Sequence, residues 1–267
     1  MRTARVRSVF FSPTHTTRCI TEALARGTGL PPAESLNLTP VAGVCEDIVL
    51  AGDELAVIGV PVYSGRVPVQ ALERLPRIRG QRTPAIAVVV YGNRDYDDAL
   101  LELRDVCEEQ RFLVVAAAAF IGEHSFSSSR TPIAPGRPDA CDLDTAVALG
   151  RQVRRYLWRT PAEALTTVSV PGTRPYKPRS ERAPLAPTTD TQKCTRCGEC
   201  IPTCPVDAIS LGDGIRTDPE SCILCCACLR ACPEQARSLN DEGFSAVAMR
   251  LSTSCRTRRE PQAFVSW

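Results

Sequence analysis

Eight cysteines carry the strongest chemical signal in this chain. Cys194, Cys197, Cys200 and Cys204 precede Pro205, and Cys222, Cys225, Cys228 and Cys232 precede Pro233, so the spacing C-x2-C-x2-C-x3-C-P occurs twice. Soft thiolates at this density suit soft metal centres, and a tight loop offering three of them suits the corner irons of a [4Fe–4S] cube. Structural zinc is the alternative. Its sites usually pair C-x2–4-C with a distant second pair and close at four ligands, which two proline-closed runs of four fit poorly. Disulfide frameworks belong to short secreted chains, and no secretory signal is legible here. Cys226, beside Cys225 and off the spacing, reads as a packed thiol rather than a ligand.

Between the runs, Val206–Ile209 reads as a helical turn entering a strand, Gly212-Asp213-Gly214 as a hairpin turn, and Ile215 as the start of a return strand. Ala236 to Leu239 repeats the pattern after the second run, which is the mark of an internal duplication. This stretch resembles the bacterial two-cluster ferredoxins. The resemblance implies two [4Fe–4S] clusters, with the fourth cysteine of each run crossing to the other cube. Cluster I would take Cys194, Cys197, Cys200 and Cys232; cluster II would take Cys222, Cys225, Cys228 and Cys204. No aromatic residue lies between Tyr176 and Phe244, so small aliphatic side chains would shield both cubes.

The elements upstream follow another pattern. Residues 6–11 read as a strand, Ser12-Pro13-Thr14-His15-Thr16-Thr17 as a polar loop, and Arg18 to Arg26 as a helix. A strand, a hydroxyl-rich loop and a helix can hold a phosphate on backbone N–H groups and hydroxyls; an ordinary Ser/Thr helix cap has the same composition. Ala33–Leu38, Glu54–Val60, Ala85–Tyr91 and Leu113–Phe120 supply four more strands, the last three as continuous apolar runs of the kind covered on both faces. Helical patterns at Val69–Leu75, Asp95–Glu109 and Leu143–Trp158 separate them. The expected fold is α/β: a doubly wound five-stranded parallel sheet, with a small α+β ferredoxin-like domain attached. Ligands then belong at the carboxyl ends of the strands. The loops there are Pro61-Val62-Tyr63-Ser64-Gly65-Arg66-Val67-Pro68, Gly92-Asn93-Arg94-Asp95-Tyr96 and Gly122-Glu123-His124-Ser125. Each is ordinary turn chemistry alone; together they form one edge where glycine admits a flat ligand and Tyr63 can stack on it.

Residues 4–158 resemble the flavodoxins, and the whole chain resembles the flavodoxin–ferredoxin fusion family, the ferrodoxins. The matching stretches are F-F-S-P-T-H-T-T, P-V-Y-S-G-R-V-P, V-V-Y-G-N-R-D-Y-D-D-A-L and I-G-E-H-S-F-S. The resemblance implies FMN. Ser12, Thr14, His15, Thr16 and Thr17 would surround its phosphate, and Pro61, Tyr63, Ser64, Gly65, Tyr91, Gly92 and Asn93 would border its ring. His15 stands where flavodoxins carry glycine, and either crowds the phosphate or donates to it. His124, the other histidine, is a candidate proton donor at the ligand edge.

The expected layout is 1–160 for the FMN domain, 161–187 for a semi-rigid proline-rich linker, 188–242 for the ferredoxin domain and 243–267 for a helix and tail. In that tail Arg256-Thr257-Arg258-Arg259 reads as a solvated face, and the apolar end Phe264–Trp267 as a docking segment. Cys19, Cys45, Cys107 and Cys141 read as buried apolar thiols. The formal charge of +2 turns negative once the thiolates hold iron, and no basic field points to nucleic acid. The longest apolar run, Phe112 to Ile121, is too short for membrane insertion, and a cytoplasmic protein is expected. Function then divides between an electron carrier, with redox proteins as donor and acceptor, and a dedicated small-molecule reductase fed by the clusters. A pocket containing His124 or Arg66 would favour the reductase; a bare flavin edge beside cluster I would favour the carrier. No nicotinamide fingerprint is present.

Overall fold

The computed structural model describes residues 3–43, 46–180 and 182–267; Cys45 lies outside the described residues. The continuous apolar runs become buried parallel strands. β1 (Arg5–Phe10), β2 (Leu36–Asn37), β4 (Glu54–Pro61), β6 (Thr83–Tyr91) and β7 (Phe112–Ile121) pair in the order β2-β1-β4-β6-β7. Every residue of β6 is buried, which is why its sequence shows no polar alternation. This 2-1-3-4-5 order is the flavodoxin-like arrangement, whose chain reversal beside β1 opens a ligand crevice at the strands' carboxyl ends.

Helices cover both faces. α1 (Thr16–Thr28) and α4 (Ala140–Arg159) pack on one layer around Ile20, Leu24, Leu149 and Val153; α2 (Val69–Arg74) and α3 (Ala99–Glu109) pack on the other around Leu100 and Leu103. α1 and α4 meet through glycine: a Cβ on Gly150 would stand 2.2 Å from the Leu24 carbonyl oxygen, so no larger residue fits the crossing. A turn of 3-10 helix, Leu75–Arg77, extends α2. α3 starts at Ala99 rather than Asp95 because Asp97 has a positive φ of 42° and its N–H donates to Asp95 Oδ1, which makes a turn of that stretch.

Two features lie outside the expected sheet. β3 (Ile48–Leu50) and β5 (Ile78–Gly80) form a separate parallel pair too short to stand out as strands. β12 (Gln262–Val265) adds a sixth, antiparallel strand against β7, so the apolar C-terminus docks on the sheet, and Trp267 stacks on Tyr156 at 4.3 Å between ring centroids. This covers the β7 edge. Cys107 is buried as expected, whereas Cys19 and Cys141 are exposed, lying on the outward sides of α1 and α4.

The proline-rich segment lies along α3 as a strap. Asp98 accepts from the Thr173 and Lys177 N–H groups at 2.9 and 2.7 Å, and Asp105 accepts from Arg174 and Tyr176. Buried Glu102 gathers Arg66, Arg179 and the Val67 N–H. Beyond the strap, β8 (Thr188–Thr189) pairs with β11 (Arg237–Ser238), and β9 (Ile209–Leu211) forms the expected hairpin with β10 (Ile215–Thr217). α5 (Ala227–Ala231) and α6 (Glu242–Ser254) complete the chain. Among the described residues, no helix is long and apolar enough to cross a membrane.

Candidate redox-cofactor sites

The two cysteine runs fold as copies of one another. Arg196, Gly198 and Asp207 have positive φ angles of 60°, 81° and 50°, and Leu224, Cys226 and Gln235 at the equivalent places of the second run have 52°, 60° and 49°. Each left-handed residue turns the loop so that successive thiols point inward. The N–H groups of Ala208 and Ala236 donate to Cys204 Sγ and Cys232 Sγ at 3.3 and 3.2 Å, again at equivalent places. Cys226 therefore stands where the first run has Gly198. That is why it is off the ligand spacing: it caps α5 in a left-handed conformation, buried, with its thiol 3.5 Å from the Leu224 carbonyl oxygen.

The thiols stand around two cavities. Cys194, Cys197, Cys200 and Cys232 line one; Cys204, Cys222, Cys225 and Cys228 line the other, with Cys226 in its wall. These are the two crossed sets that the ferredoxin resemblance implies. Among the described residues, no three His, Cys, Asp or Glu side chains draw together around a single ion. Burial pushes the Cys225 thiol up to about 12 and raises Cys222 and Cys228 in the same set and Cys200 in the other. In the first set Cys197 is exposed and Cys200 buried; in the second, Cys225 and Cys228 are both buried.

A third cavity, about 470 Å³, opens at the carboxyl ends of the parallel strands. That volume is typical of a small-molecule or cofactor site. Thr14, Thr16, Pro61, Tyr63, Ser64, Gly65, Tyr91 and Gly92 line it, as do Gly122, Glu123 and His124. At its α1 end, the N–H groups of Thr14, Thr16 and Thr17 have no hydrogen-bond partner among the described residues. The Thr17 hydroxyl is buried without a partner too, but behind the cavity wall rather than in it. Free N–H groups at a helix N-terminus are the donor set an anion requires. Ser12 serves the loop's own structure, its hydroxyl accepting from the Arg18 N–H at 3.1 Å. His15 adopts a φ of 66°, the conformation that favours glycine at this place, and its side chain is exposed and away from the cavity wall, so crowding is avoided.

Asn93 departs from expectation. It is buried outside the cavity wall, its amide donating to the Cys255 and Thr257 carbonyls at 2.8 Å each and its Oδ1 accepting from the Arg259 N–H. The C-terminal segment takes both polar ends of the Asn93 amide. The arginine run is exposed, as expected of a solvated face, and is also tied down: Arg258 pairs with Asp139 at 2.6 Å, and the Arg259 carbonyl accepts from Arg137. α6 contributes Val247, Arg250 and Leu251 to the cavity wall. No local signal in the sequence joins Asn93 to residues so far along the chain.

His124 packs against Gly92, where a Cβ would come within 2.2 Å of its ring. Its Nδ1 accepts from the Phe126 N–H at 3.0 Å, leaving the proton on Nε2. Burial, then Arg230 and Arg94, push it down to about 4, so the imidazole is neutral. Arg66 also lines the cavity, but its guanidinium is held by Glu102 at 2.6 Å and lies over the Tyr176 ring.

The cavities adjoin. Ile223 is a wall of both the large cavity and the one framed by Cys204, Cys222, Cys225 and Cys228. Tyr63 is close enough to this thiol set that Cys225 and Cys226, after burial, hold its phenol well above the usual range. The second run also touches the sheet edge directly, through Arg230 to the His124 carbonyl at 3.1 Å.

Sequence comparison places two copies of the 4Fe-4S binding domain on the chain, at residues 187–210 and 215–238. Each copy contains one cysteine run. The chain thus carries two [4Fe–4S] binding repeats on a flavodoxin-like α/β fold. No curated protein sequence matches it. Similar solved structures include a flavodoxin from the domain Archaea (12% identity, 58% of this chain and 99% of that one, TM-score 0.38). Others are the rubredoxin oxygen:oxidoreductase of Desulfovibrio gigas (12%, 61% and 37%, TM-score 0.42) and a WrbA-like flavodoxin from Agrobacterium tumefaciens (16%, 58% and 98%, TM-score 0.37). The strand order of this chain, rather than these similarities, establishes its fold.

Proposed function

We propose that the protein is an electron-transfer iron–sulfur flavoprotein of the flavodoxin–ferredoxin fusion type, with FMN seated in the large cavity and a [4Fe–4S] cluster in each thiol-framed one. The observation that carries this reading is the shared wall at Ile223, which puts the flavin seat against the second thiol set. Residues 1–160 supply the flavin domain, 161–187 the strap, 188–242 the ferredoxin domain, and 243–267 the segment that adds α6 to the cavity wall. Cys194, Cys197, Cys200 and Cys232 hold cluster I; Cys222, Cys225, Cys228 and Cys204 hold cluster II.

A flavin exchanges electrons in pairs or singly, and each cube exchanges one. The residues set the rest. Thr14, Thr16 and Thr17 offer donors to a phosphate. Tyr63 and Gly92 bound a slot for a flat ring, with Pro61, Ser64, Gly65 and Tyr91 around it. Ile223 and Leu224 exclude water between that slot and the second thiol set. The first set, with exposed Cys197, is the outward end of the series, where a redox protein can dock.

A reductase has one observation in its favour, since His124 and Arg66 both line the cavity. Against it, Arg66 is committed to Glu102, His124 is neutral and packed on Gly92, and α6 takes up part of the wall. Anaerobic purification with iron, sulfide and flavin quantified tests the assignment. About eight iron and one FMN per chain are expected. Iron without flavin, even after FMN is added, overturns the flavin seat; selective turnover of one small molecule replaces the carrier with the reductase.

A further inference from the structure

Aligning the two repeats sets Arg237 where the first has Ile209, so a cation stands at an apolar position of the fold. Arg237 is 5% exposed. Its guanidinium lines the first thiol cavity, and its Nη2 lies 3.7 Å from Cys228 Sγ of the second. The remaining contacts are neutral: Nη1 donates to Thr189 Oγ1 at 2.7 Å, Nη2 donates to Thr217 Oγ1, and the buried Nε has no partner. Among the described residues, no carboxylate pairs with it.

Arginine cannot shed its proton, and a buried charge without a counter-charge is costly. Threonine hydroxyls satisfy N–H groups but neutralise nothing. The missing negative charge is supplied when four thiolates bind each cube, since the core carries less positive charge than the thiolates carry negative. We propose that Arg237 is the shared counter-cation of the two clusters, holding both potentials up by favouring the more negative, reduced state of each. This rests on the two-cluster reading above. It assigns Arg237 a tuning role toward both cubes, distinct from ligation.

The test compares Arg237→Gln and Arg237→Lys in the full chain, purified anaerobically, by iron content and by EPR-monitored redox titration of each cluster. Glutamine keeps hydrogen-bonding capacity and removes the charge; lysine keeps the charge. Arg237→Gln is expected to retain both clusters and to shift each reduction equilibrium by about tenfold, a fall of about 59 mV per one-electron couple, with Arg237→Lys close to the parent. Where Arg237→Gln loses iron, recovery of that iron in Arg237→Lys supports the role, and equal loss in both variants overturns it. Unchanged potentials in an iron-replete Arg237→Gln protein overturn it as well, and so does a shift confined to one cluster. A parent protein without two clusters fails the underlying reading instead, which separates the two failures.

Discussion

Thr17 shows what a single buried hydroxyl costs. Its side chain is fully buried against the sheet, behind the cavity wall, and its oxygen is unpaired, which costs about 1–3 kcal/mol. Thr17→Val keeps the shape and removes the unpaired hydroxyl. It is expected to leave the folded chain at least as stable, with an equal or higher midpoint in thermal unfolding. A lower midpoint would show that the hydroxyl has a partner. His124 makes a second prediction. Its pKa is lowered to about 4 from an ordinary 6.5, so between those values the unfolded chain binds a proton that the folded chain refuses. Stability contributed by the neutral imidazole is complete above about pH 6.5 and falls as pH drops toward 4, by about 3 kcal/mol at most. In an NMR titration from pH 8 to 5, the His124 ring signal should stay still; a midpoint near 6.5 would restore it as a proton donor.

At the scale of elements, the strap along α3 matters more than its proline content suggests. Glu102, 3% exposed, collects two guanidiniums and a backbone N–H from two segments, the loop at Arg66-Val67 and the strap at Arg179. Glu102→Ala leaves Arg66 and Arg179 without their shared carboxylate and is expected to cost about 3 kcal/mol. The check is whether thermal unfolding moves down while iron content holds. An unchanged Tm would mean that the strap contributes nothing to stability. The C-terminal segment is the other long-range element: β12 covers the sheet edge and residues 255–259 occupy Asn93. Helix and strand periodicity located nearly every element of the sheet because each buries a continuous face. Partners of single polar side chains such as Asn93 and Glu102 were not legible, since hydrogen bonds leave no periodic trace in sequence.

For the whole molecule, one continuous set of contacts joins the cavities. Arg74 reaches the Pro205 carbonyl at 2.6 Å, Arg230 reaches His124, and half-buried Ile223 packs against the core of the α2/α3 layer. Electron exchange between the flavin site and the second thiol set should therefore occur within one chain. After rapid partial reduction, the rate of redistribution between flavin and iron absorbance should be independent of protein concentration and nearly independent of salt, because no encounter limits it. A rate rising in proportion to concentration would show exchange between chains and remove the internal route.

The sequence by itself determined the chemistry that is local. Thiol spacing within a tight loop is a covalent constraint, so two clusters were legible from the cysteines alone, as was the duplicated hairpin between them. Continuous apolar runs likewise specified buried parallel strands, because a strand covered on both faces has no polar side. Only the tertiary structure decided which surfaces meet. It brought residues 223 and 63 to one wall, turned Asn93 from the cavity to the C-terminal segment, and set Arg237 between two thiol sets. Those contacts join residues distant in the chain through shape and charge, and neither property is periodic in the sequence that encodes it.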